Sequence, residues 1–162
     1  MRISKKFEFD YGHRVWNQKL DISLSLDDKL VCRHLHGHRG VVDIIIEGDL
    51  KDGMVTDFKH LNWFKHFIDT YIDHKFIVDK NDPLINFFLP GLQRLDWIPD
   101  THWEVYCDDP LEQEWYESFT IVDFVPTSEN LSIWFHGIIM SKMKGFKIGV
   151  IFSETPKTCA IL

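Results

Sequence analysis

Length, composition and charge exclude several classes of protein for this chain. Its 162 residues are 44% hydrophobic and 27% charged, which is typical of a globular protein and not of a disordered one. The formal net charge of −7 argues against a general surface for nucleic acid or anionic lipid, because such surfaces need clustered Lys and Arg. No apolar run approaches the ~20 residues of a membrane span, and the start MRISKKFEFD has no secretion signal. We therefore expect one cytoplasmic domain over residues 1–162.

Two strands are predicted first, with a polar loop between them. Residues 3–13 alternate with the period of two of a half-buried strand, and His13 ends the inward face. The apolar residues of that face are Ile3, Phe7, Phe9 and Tyr11. Residues 36–50 alternate in the same way, and there His36 and His38 share the side of the apolar residues.

Two helices are predicted next. Thr56 or Asp57 can cap the first, which continues to residue 72 with apolar residues at helical spacing. The second follows PTSEN at 126–130, with Thr127 or Ser128 as the cap and Glu129 in the first turn, where its charge suits the helix dipole. Gly145 is expected to end it.

Residues 81–126 have no clear periodicity apart from one strand candidate at 118–125. We interpret most of this stretch, about 84–121, as an insertion between the helices. Two strands then close the chain, at 146–154 and 159–162. The order is ββααββ, an α+β pattern with two helices on one face of a four-stranded antiparallel sheet.

Three histidines favour a metal site. His36 and His38 project to the same face of one strand, and His13 ends the inward face of the neighbouring strand. Three imidazoles without an obligatory fourth ligand are typical of catalytic zinc, whose open position takes water or substrate. The alternative is that these residues are surface or hydrogen-bonded core histidines. Five other histidines lack such a pattern and are interpreted as structural, with His60 and His66 on the solvated face of the first helix; they are His34, His60, His66, His102 and His136.

Four other residues are candidates for acid–base chemistry. The three cysteines are odd in number and far apart, which favours reduced thiols. Cys32, four residues before His36, is close enough to the predicted metal for a reactive thiolate, whereas Cys107 and Cys159 fit buried, inert thiols better. The adjacent Asp73 and His74 could form a carboxylate–imidazole pair. Glu154 continues an apolar strand face, so its carboxylate needs a partner such as a guanidine-like edge of a ligand.

Six short motifs run in a fixed order over nearly the whole chain. They are DYGHRV (10–15), CRHLHGH (32–38), GMVTDF (53–58), IDH (72–74), PTSEN (126–130) and SET (153–155). Together they resemble the 6-pyruvoyltetrahydropterin synthase / 6-carboxytetrahydropterin synthase family. Residues 84–121 are an extra segment that short members of that family lack. After the H-G-H motif the chain has Arg39 and Gly40, where the family more often has a small or polar residue and then an aromatic one.

The resemblance implies the tunnelling fold, in which the ββααββ subunits assemble into a trimeric barrel and usually a hexamer, with active sites between subunits. It places the zinc ligands on His13, His36 and His38. It also places the proton-abstracting cysteine on Cys32, the proton relay on Asp73 and His74, and the pterin-gripping carboxylate on Glu154. We expect Thr127 and Glu129 to contact the substrate as well.

The reaction implied by the resemblance is a lyase reaction on 7,8-dihydroneopterin triphosphate. The spacing C-x3-H-G-H resembles the bacterial carboxytetrahydropterin synthases of queuosine and 7-deazaguanine synthesis. That branch makes 6-carboxy-5,6,7,8-tetrahydropterin and releases acetaldehyde and triphosphate. Two alternatives stay open: a 6-pyruvoyltetrahydropterin synthase, and a non-catalytic zinc-binding homologue.

Overall fold

The structure is a computed structural model that describes residues 1–90 and 103–162, together with the backbone of Leu95–Trp97. Its strands are β1 (Arg2–His13), β2 (His36–Glu47), β3 (Lys75–Asp79), β4 (Leu95–Trp97), β5 (Trp103–Val105), β6 (Phe119–Val122), β7 (Lys147–Thr155) and β8 (Thr158–Ile161). Its α-helices are α1 (Asn62–Tyr71), α2 (Ile85–Phe88), α3 (Pro110–Glu117) and α4 (Ser128–Lys142). None of these helices is long and apolar enough to cross a bilayer.

The predicted four-stranded antiparallel sheet is confirmed. β1, β2, β7 and β8 are neighbours in that order, and each adjacent pair is antiparallel. The inward residues of β1, β2 and β7 form one core with α1 and α4, so both long helices cover the same face of the sheet. The largest fully buried side chains of this core include Phe64, Phe135, Phe152, Ile44 and Ile46.

Four strands that the pattern ββααββ does not contain extend the sheet beyond β1, in the order β3, β6, β5 and β4. β3 runs parallel to β1 and pairs Lys75 with Tyr11 and Phe76 with Gly12. Glycine is required at position 12, because a Cβ there would lie 2.5 Å from the Phe76 ring. β6 is parallel to β3, whereas β5 and β4 are antiparallel to their neighbours. The described sheet is therefore mixed and has eight strands.

α4 begins at a predicted cap, whereas α1 begins at Asn62 without a side-chain cap, and the predicted cap Asp57 lies at the start of the turn before it. The Asp57 carboxylate accepts a hydrogen bond from the Lys59 amide and starts a 3₁₀ turn, Phe58–Leu61, that leads into α1. Thr127 Oγ1 accepts a hydrogen bond from the Asn130 amide at 3.3 Å and caps α4. α4 ends at Lys142, three residues before Gly145, whose φ of 87° allows the chain to turn away into β7.

The predicted insertion contains more regular structure than its sequence indicates. α2, β4, β5, α3 and most of β6 lie between residues 84 and 121. Their side chains form a second core beside the first, which includes Val78, Leu89, Val105, Tyr116 and Ile121. His102, interpreted above as structural, and residues 91–94 and 98–101 of the insertion lie outside the described residues.

Candidate metal centre

The pairing of β1 with β2 brings the three predicted histidines together. His13 lies directly opposite His36, and Tyr11 lies directly opposite His38. Residues opposite each other in an antiparallel pair project to the same face, so all three rings converge at the end of the hairpin. Their centroids are 4.5 Å (His13–His36), 5.2 Å (His13–His38) and 5.1 Å (His36–His38) apart.

Two backbone carbonyls determine which ring nitrogen of His13 and of His36 is free to bind a metal. His13 Nδ1 lies 2.6 Å from the Pro126 carbonyl oxygen, and His36 Nδ1 lies 2.7 Å from that of His34. A carbonyl only accepts, so each Nδ1 donates a proton and each Nε2 keeps its lone pair. The Nε2 atom of His13 is buried and has no hydrogen-bond partner among the described residues, the condition expected of a nitrogen that ligates a metal.

Burial lowers the pKa of two of these imidazoles, His13 and His38, and so keeps both neutral near pH 7. It lowers the pKa of His13 to about 4, against the opposing hydrogen bond to Pro126 and with help from the charges of His36 and His38. Burial also lowers the pKa of His38, and nearby Glu154 opposes that shift. A neutral imidazole is the form that binds metal.

The cluster fits a tetrahedral metal such as zinc. One ligand atom from each histidine lies within 4.8 Å of the others. Zn–N bonds of about 2.1 Å place tetrahedral nitrogens about 3.4 Å apart. Small rotations of the three rings would therefore bring one nitrogen of each within bonding distance of a single ion. His13, His36 and His38 could therefore hold a metal.

Glu154 lies at the edge of this cluster, on the inward face of β7 as predicted. Its Oε1 accepts a hydrogen bond from the Tyr11 hydroxyl at 3.3 Å and lies 3.7 Å from His13 Nε2. Burial and the Glu154 charge raise the pKa of Tyr11 well above its usual value, so the phenol remains a donor. Tyr11 thus orients a carboxylate toward the space beside the histidines.

The aromatic rings of Phe9 and Tyr11 in β1 pack against Gly40 of β2, beside the site. A Cβ at Gly40 would lie 2.7 Å from the Phe9 ring and 3.1 Å from the Tyr11 ring. The family's more frequent aromatic at this position has no room here, because Phe9 and Tyr11 already occupy the space. Arg39 points to the opposite, exposed side of β2, where its Nε lies 3.6 Å from Glu8.

Cys32 lies in a short 3₁₀ turn, Val31–Arg33, that is tied to the end of β1. Its carbonyl accepts a hydrogen bond at 2.7 Å from the amide of Val15, two residues beyond His13. Its thiol is half-buried and does not belong to the ligand cluster found among the described residues. The fold ties the backbone of Cys32 to a residue two positions beyond His13, and its catalytic role remains a prediction.

Asp73 and His74 contact each other but lie apart from the histidines of their own chain. Asp73 Oδ1 is 3.1 Å from His74 Nδ1 and accepts a hydrogen bond from the Asp10 amide. Burial disfavours ionisation of Asp73, yet the Asp10 hydrogen bond and the His74 charge outweigh it and lower its pKa. The pair lies beside Asp10, three residues before His13, which is about 10 Å along the strand.

His74 has an uncommon backbone conformation and projects into solvent. Its φ is 60°, a region that few non-glycine residues adopt and that often marks functional positions. Its side chain is 79% exposed. The pair is therefore assembled and accessible, and it contacts β1 three residues before His13 of its own chain's candidate metal centre.

The remaining predicted residues divide into two groups. Thr127 is half-buried and caps α4, and Glu129 is exposed in its first turn, one and three residues after the Pro126 carbonyl that holds His13. Of the histidines interpreted as structural, those that the structure describes are engaged elsewhere or exposed. His136 Nε2 donates to the Ile148 carbonyl, His60 bonds to Thr56, and His66 is exposed on α1.

Sequence reasoning missed three contributors to the site. Tyr11 shares the strand parity of His13, so its place beside the histidines could have been read from the alternation. The carbonyls of Pro126 and His34 act through the backbone, and no side-chain pattern signals them.

Comparison with known proteins agrees with these features. The profile of the family described as 6-pyruvoyl tetrahydropterin synthase matches residues 2–162. A protein of Aquifex aeolicus named 6-carboxy-5,6,7,8-tetrahydropterin synthase is 33% identical over 150 residues, which cover 88% of this chain and 80% of the relative. A protein of Haemophilus influenzae with the same name is 34% identical over 101 residues, 59% of this chain and 64% of the relative.

Solved structures agree in fold. An uncharacterized protein from Wolinella succinogenes superposes with a TM-score of 0.94 at 45% identity, covering 100% of this chain and 97% of that one. The 6-pyruvoyl tetrahydropterin synthase of Plasmodium falciparum superposes with a TM-score of 0.59 at 18% identity, covering 100% and 96%, and this likeness concerns the fold alone. With a profile match over nearly the full chain, the protein belongs to the 6-pyruvoyl tetrahydropterin synthase family.

Proposed function

We propose that this chain is a zinc-dependent lyase that converts 7,8-dihydroneopterin triphosphate and water to 6-carboxy-5,6,7,8-tetrahydropterin, with release of acetaldehyde and triphosphate. The observation that carries the proposal is the convergence of three histidine rings, two of which have the tautomer that metal binding needs. The name and the 33% identity of the Aquifex aeolicus relative support the choice of product. The product would enter the synthesis of 7-deazaguanines such as queuosine.

His13, His36 and His38 would hold the zinc ion. Three protein ligands leave a coordination position open for the substrate. Bound there, zinc would polarise the side-chain hydroxyls of the substrate and acidify the neighbouring protons. The Pro126 and His34 carbonyls would keep the ligand rings in place while the substrate exchanges.

Cys32 and the Asp73–His74 pair would move the protons. A thiolate at Cys32 would take a proton from the substrate side chain, and His74, oriented by Asp73, would return one at another atom. Because the pair lies about 10 Å along β1 from its own histidines and is exposed, we propose that it serves the site of a neighbouring subunit.

Glu154 would hold the pterin ring. The carboxylate is directed by Tyr11 and can accept two parallel N–H groups from the guanidine-like edge of a pterin. Thr127 and Glu129 follow the Pro126 carbonyl that contacts His13, and we propose that they line the same substrate pocket.

A homo-oligomer, a trimer or hexamer, would complete the site. The loop before Cys32 exposes alternating apolar side chains in the single chain: Leu20, Ile22, Leu24 and Leu26. Exposed apolar side chains in such number mark an interaction surface. We also propose that residues 1–162 act as one domain, with residues 84–121 as an insertion in it.

A product assay beside elemental analysis tests the proposed function. The purified protein is incubated with 7,8-dihydroneopterin triphosphate, and acetaldehyde, triphosphate and the pterin product are quantified. We expect one zinc per chain, acetaldehyde in step with triphosphate, and loss of both products after chelation. Triphosphate without acetaldehyde would indicate a 6-pyruvoyltetrahydropterin synthase instead.

The variant Cys32→Ala separates an enzyme from a non-catalytic zinc-binding homologue. We expect it to keep its zinc and to lose turnover, because a proton acceptor is removed while the histidine cluster stays intact. Undiminished turnover by Cys32→Ala would overturn the role of the thiol. No product from the wild-type protein with zinc bound would overturn the proposed reaction.

A further inference from the structure

The turn that carries Cys32 has few interactions of its own that would stabilise its position. It is a 3₁₀ turn of three residues, Val31–Arg33, with no buried residue and no side-chain cap at Leu30. Short 3₁₀ turns have poor hydrogen-bond geometry and little intrinsic stability. The location of the Cys32 thiol must therefore depend on hydrogen bonds to the rest of the chain.

Both backbone polar groups of Cys32 bond to one short segment, residues 15–18. The Val15 amide donates to the Cys32 carbonyl at 2.7 Å. The Cys32 amide donates to the side-chain oxygen Oε1 of Gln18 at 3.0 Å. A further hydrogen bond from the Gln18 amide to the Val15 carbonyl at 3.0 Å folds the segment into a turn. The Val15 amide and the Gln18 side chain therefore bind the carbonyl and the amide of Cys32, respectively.

The same segment is anchored to the turn that follows β3. Trp16 Nε1 donates to Asp79 Oδ2 at 3.0 Å, and Arg14 Nε lies 3.1 Å from Asp82 Oδ2 as an ion pair. Both carboxylates are buried, with exposures of 3% and 2%. A buried carboxylate without its partner is costly, so these contacts strongly favour one position of residues 14–16.

Each carboxylate is in turn fixed by its own loop. Asp79 Oδ1 accepts hydrogen bonds from the amide and the side chain of Asn81, and Asp82 Oδ1 accepts one from the Leu84 amide. The anchor is therefore rigid at the β3 end. A continuous set of polar contacts runs from this loop through residues 14–18 to the backbone of Cys32.

We propose that Gln18 is a positioning residue for Cys32, and that the contacts Arg14–Asp82 and Trp16–Asp79 hold the segment from which it acts. This inference rests on the proposed function, since it assigns Cys32 the task of taking a proton. A proton acceptor must lie within hydrogen-bond reach of its target, and small misplacements of a reacting group are costly in rate. The contacts link a loop next to the insertion with the chemistry at the histidines.

The test compares three variants as zinc-loaded full-length protein. Gln18→Met keeps the length of the side chain but removes the acceptor, Gln18→Glu keeps an acceptor oxygen, and Gln113→Met is the matched control. Gln113 Oε1 accepts the Cys107 amide at 3.1 Å, so the control removes the same type of bond from another cysteine. Hydrogen exchange of the Cys32 amide, zinc content, kcat and KM are measured for each.

For Gln18→Met we expect about tenfold faster exchange of the Cys32 amide and about tenfold lower kcat, the upper range for one hydrogen bond. KM and zinc content stay within about twofold of the wild type, because the pterin and metal contacts are untouched. Gln18→Glu restores kcat to within about threefold. Gln113→Met changes neither the exchange of Cys32 nor kcat.

Trp16→Phe tests the anchor, since it removes one donor and keeps an aromatic ring. We expect faster exchange at Cys32 although residue 16 does not touch it. Wild-type kcat in Gln18→Met, failure of Gln18→Glu to restore it, or unchanged Cys32 exchange in Gln18→Met and Trp16→Phe would each overturn the inference. Should the wild-type protein show no turnover, the proposed reaction fails, and the exchange rates alone then decide whether Gln18 and Trp16 fix the turn.

Discussion

The burial of His13 favours metal binding, but in the protein without metal it makes protonation of this residue costly. Its ring is 1% exposed, and one nitrogen donates to Pro126 while the other faces His36 and His38. A buried imidazole resists protonation, which suits a metal ligand. The same resistance makes the metal-free fold sensitive to acid.

The metal-free protein is expected to lose stability as the pH falls below about 6.5. The pKa of His13 is lowered from 6.5 to about 4 in the folded state, so the unfolded chain binds more protons between these values. Linkage then predicts a loss of about 2 kcal/mol from His13 between pH 7 and pH 5. Urea unfolding in the presence of a chelator at the two pH values measures it.

The variant His13→Gln provides the control for this pH dependence. It removes the titrating group, so its free energy of unfolding should fall by about 2 kcal/mol less than that of the wild type over the same pH interval. An equal loss in both proteins would show that His13 does not carry the effect.

Glu154→Gln is expected to weaken the binding of a pterin by about 1.5–3 kcal/mol, since charge-assisted hydrogen bonds have that worth. Titration calorimetry with a pterin that lacks the triphosphate side chain measures this loss. Glu112→Gln, a change of the same kind on the exposed side of α3, should bind like the wild type. Unchanged affinity in Glu154→Gln would mean that Glu154 has another task.

At the scale of elements, α4 connects stability with the candidate site. Thr127 caps the helix, and the preceding Pro126 carbonyl holds His13. Thr127→Ala should therefore destabilise the protein by about 1 kcal/mol in urea unfolding, the usual worth of an N-cap. Thr127→Ser retains the hydroxyl and should keep most of that stability. An equal cost for Ser and Ala would argue that the methyl group, and not the cap, matters.

The sequence predicts elements well where one face is buried and poorly where both faces are. Apolar residues occupy alternate positions in β1, β2 and β7. The two long helices show apolar residues at helical spacing and cap residues near their N-termini. β3 has no alternation, because its residues Ile77, Val78 and Asp79 are all buried between β1 and β6, and such runs carry no period-two signal. β4 and β5 have three residues each, too few for periodicity.

The same limit applies to the candidate site. His13, His36 and His38 can be predicted together because strand parity determines which face each occupies. The position of Cys32 depends on hydrogen bonds between distant loops, such as that from Val15. The separation of Asp73 and His74 from the histidines follows from the order of strands in the sheet, which motifs do not encode.

The whole molecule has exposed features that suit assembly with further copies. Among the described residues, β3 pairs with β1 at Tyr11 and Gly12, so most of the outer edge of β1 has no strand beside it. β8 forms the opposite edge of the sheet. Unpaired edges are usually covered in a native assembly, and a closed ring of subunits would cover both.

The double variant Leu24→Asp, Leu26→Asp is expected to reduce the mass of the assembly measured by light scattering. Leu24 is 87% exposed in the single chain, and burying a new carboxylate in an interface is costly. Leu111→Asp, on the exposed side of α3, should leave the mass unchanged. A wild-type mass in the double variant would exclude this loop from the interface.

The direct opposition of His13 and His36 in the β1–β2 ladder has a consequence for how the chain reaches its native state. A slip of one residue between the two strands would place His13 on the opposite face of the sheet from His36 and His38, and such a misaligned hairpin could not bind the ion with all three histidines. Because zinc would stabilise whatever conformation binds it, its presence during refolding should select the correct alignment of the hairpin. Zinc would then favour the native pairing of β1 with β2 during folding, before it takes part in any reaction.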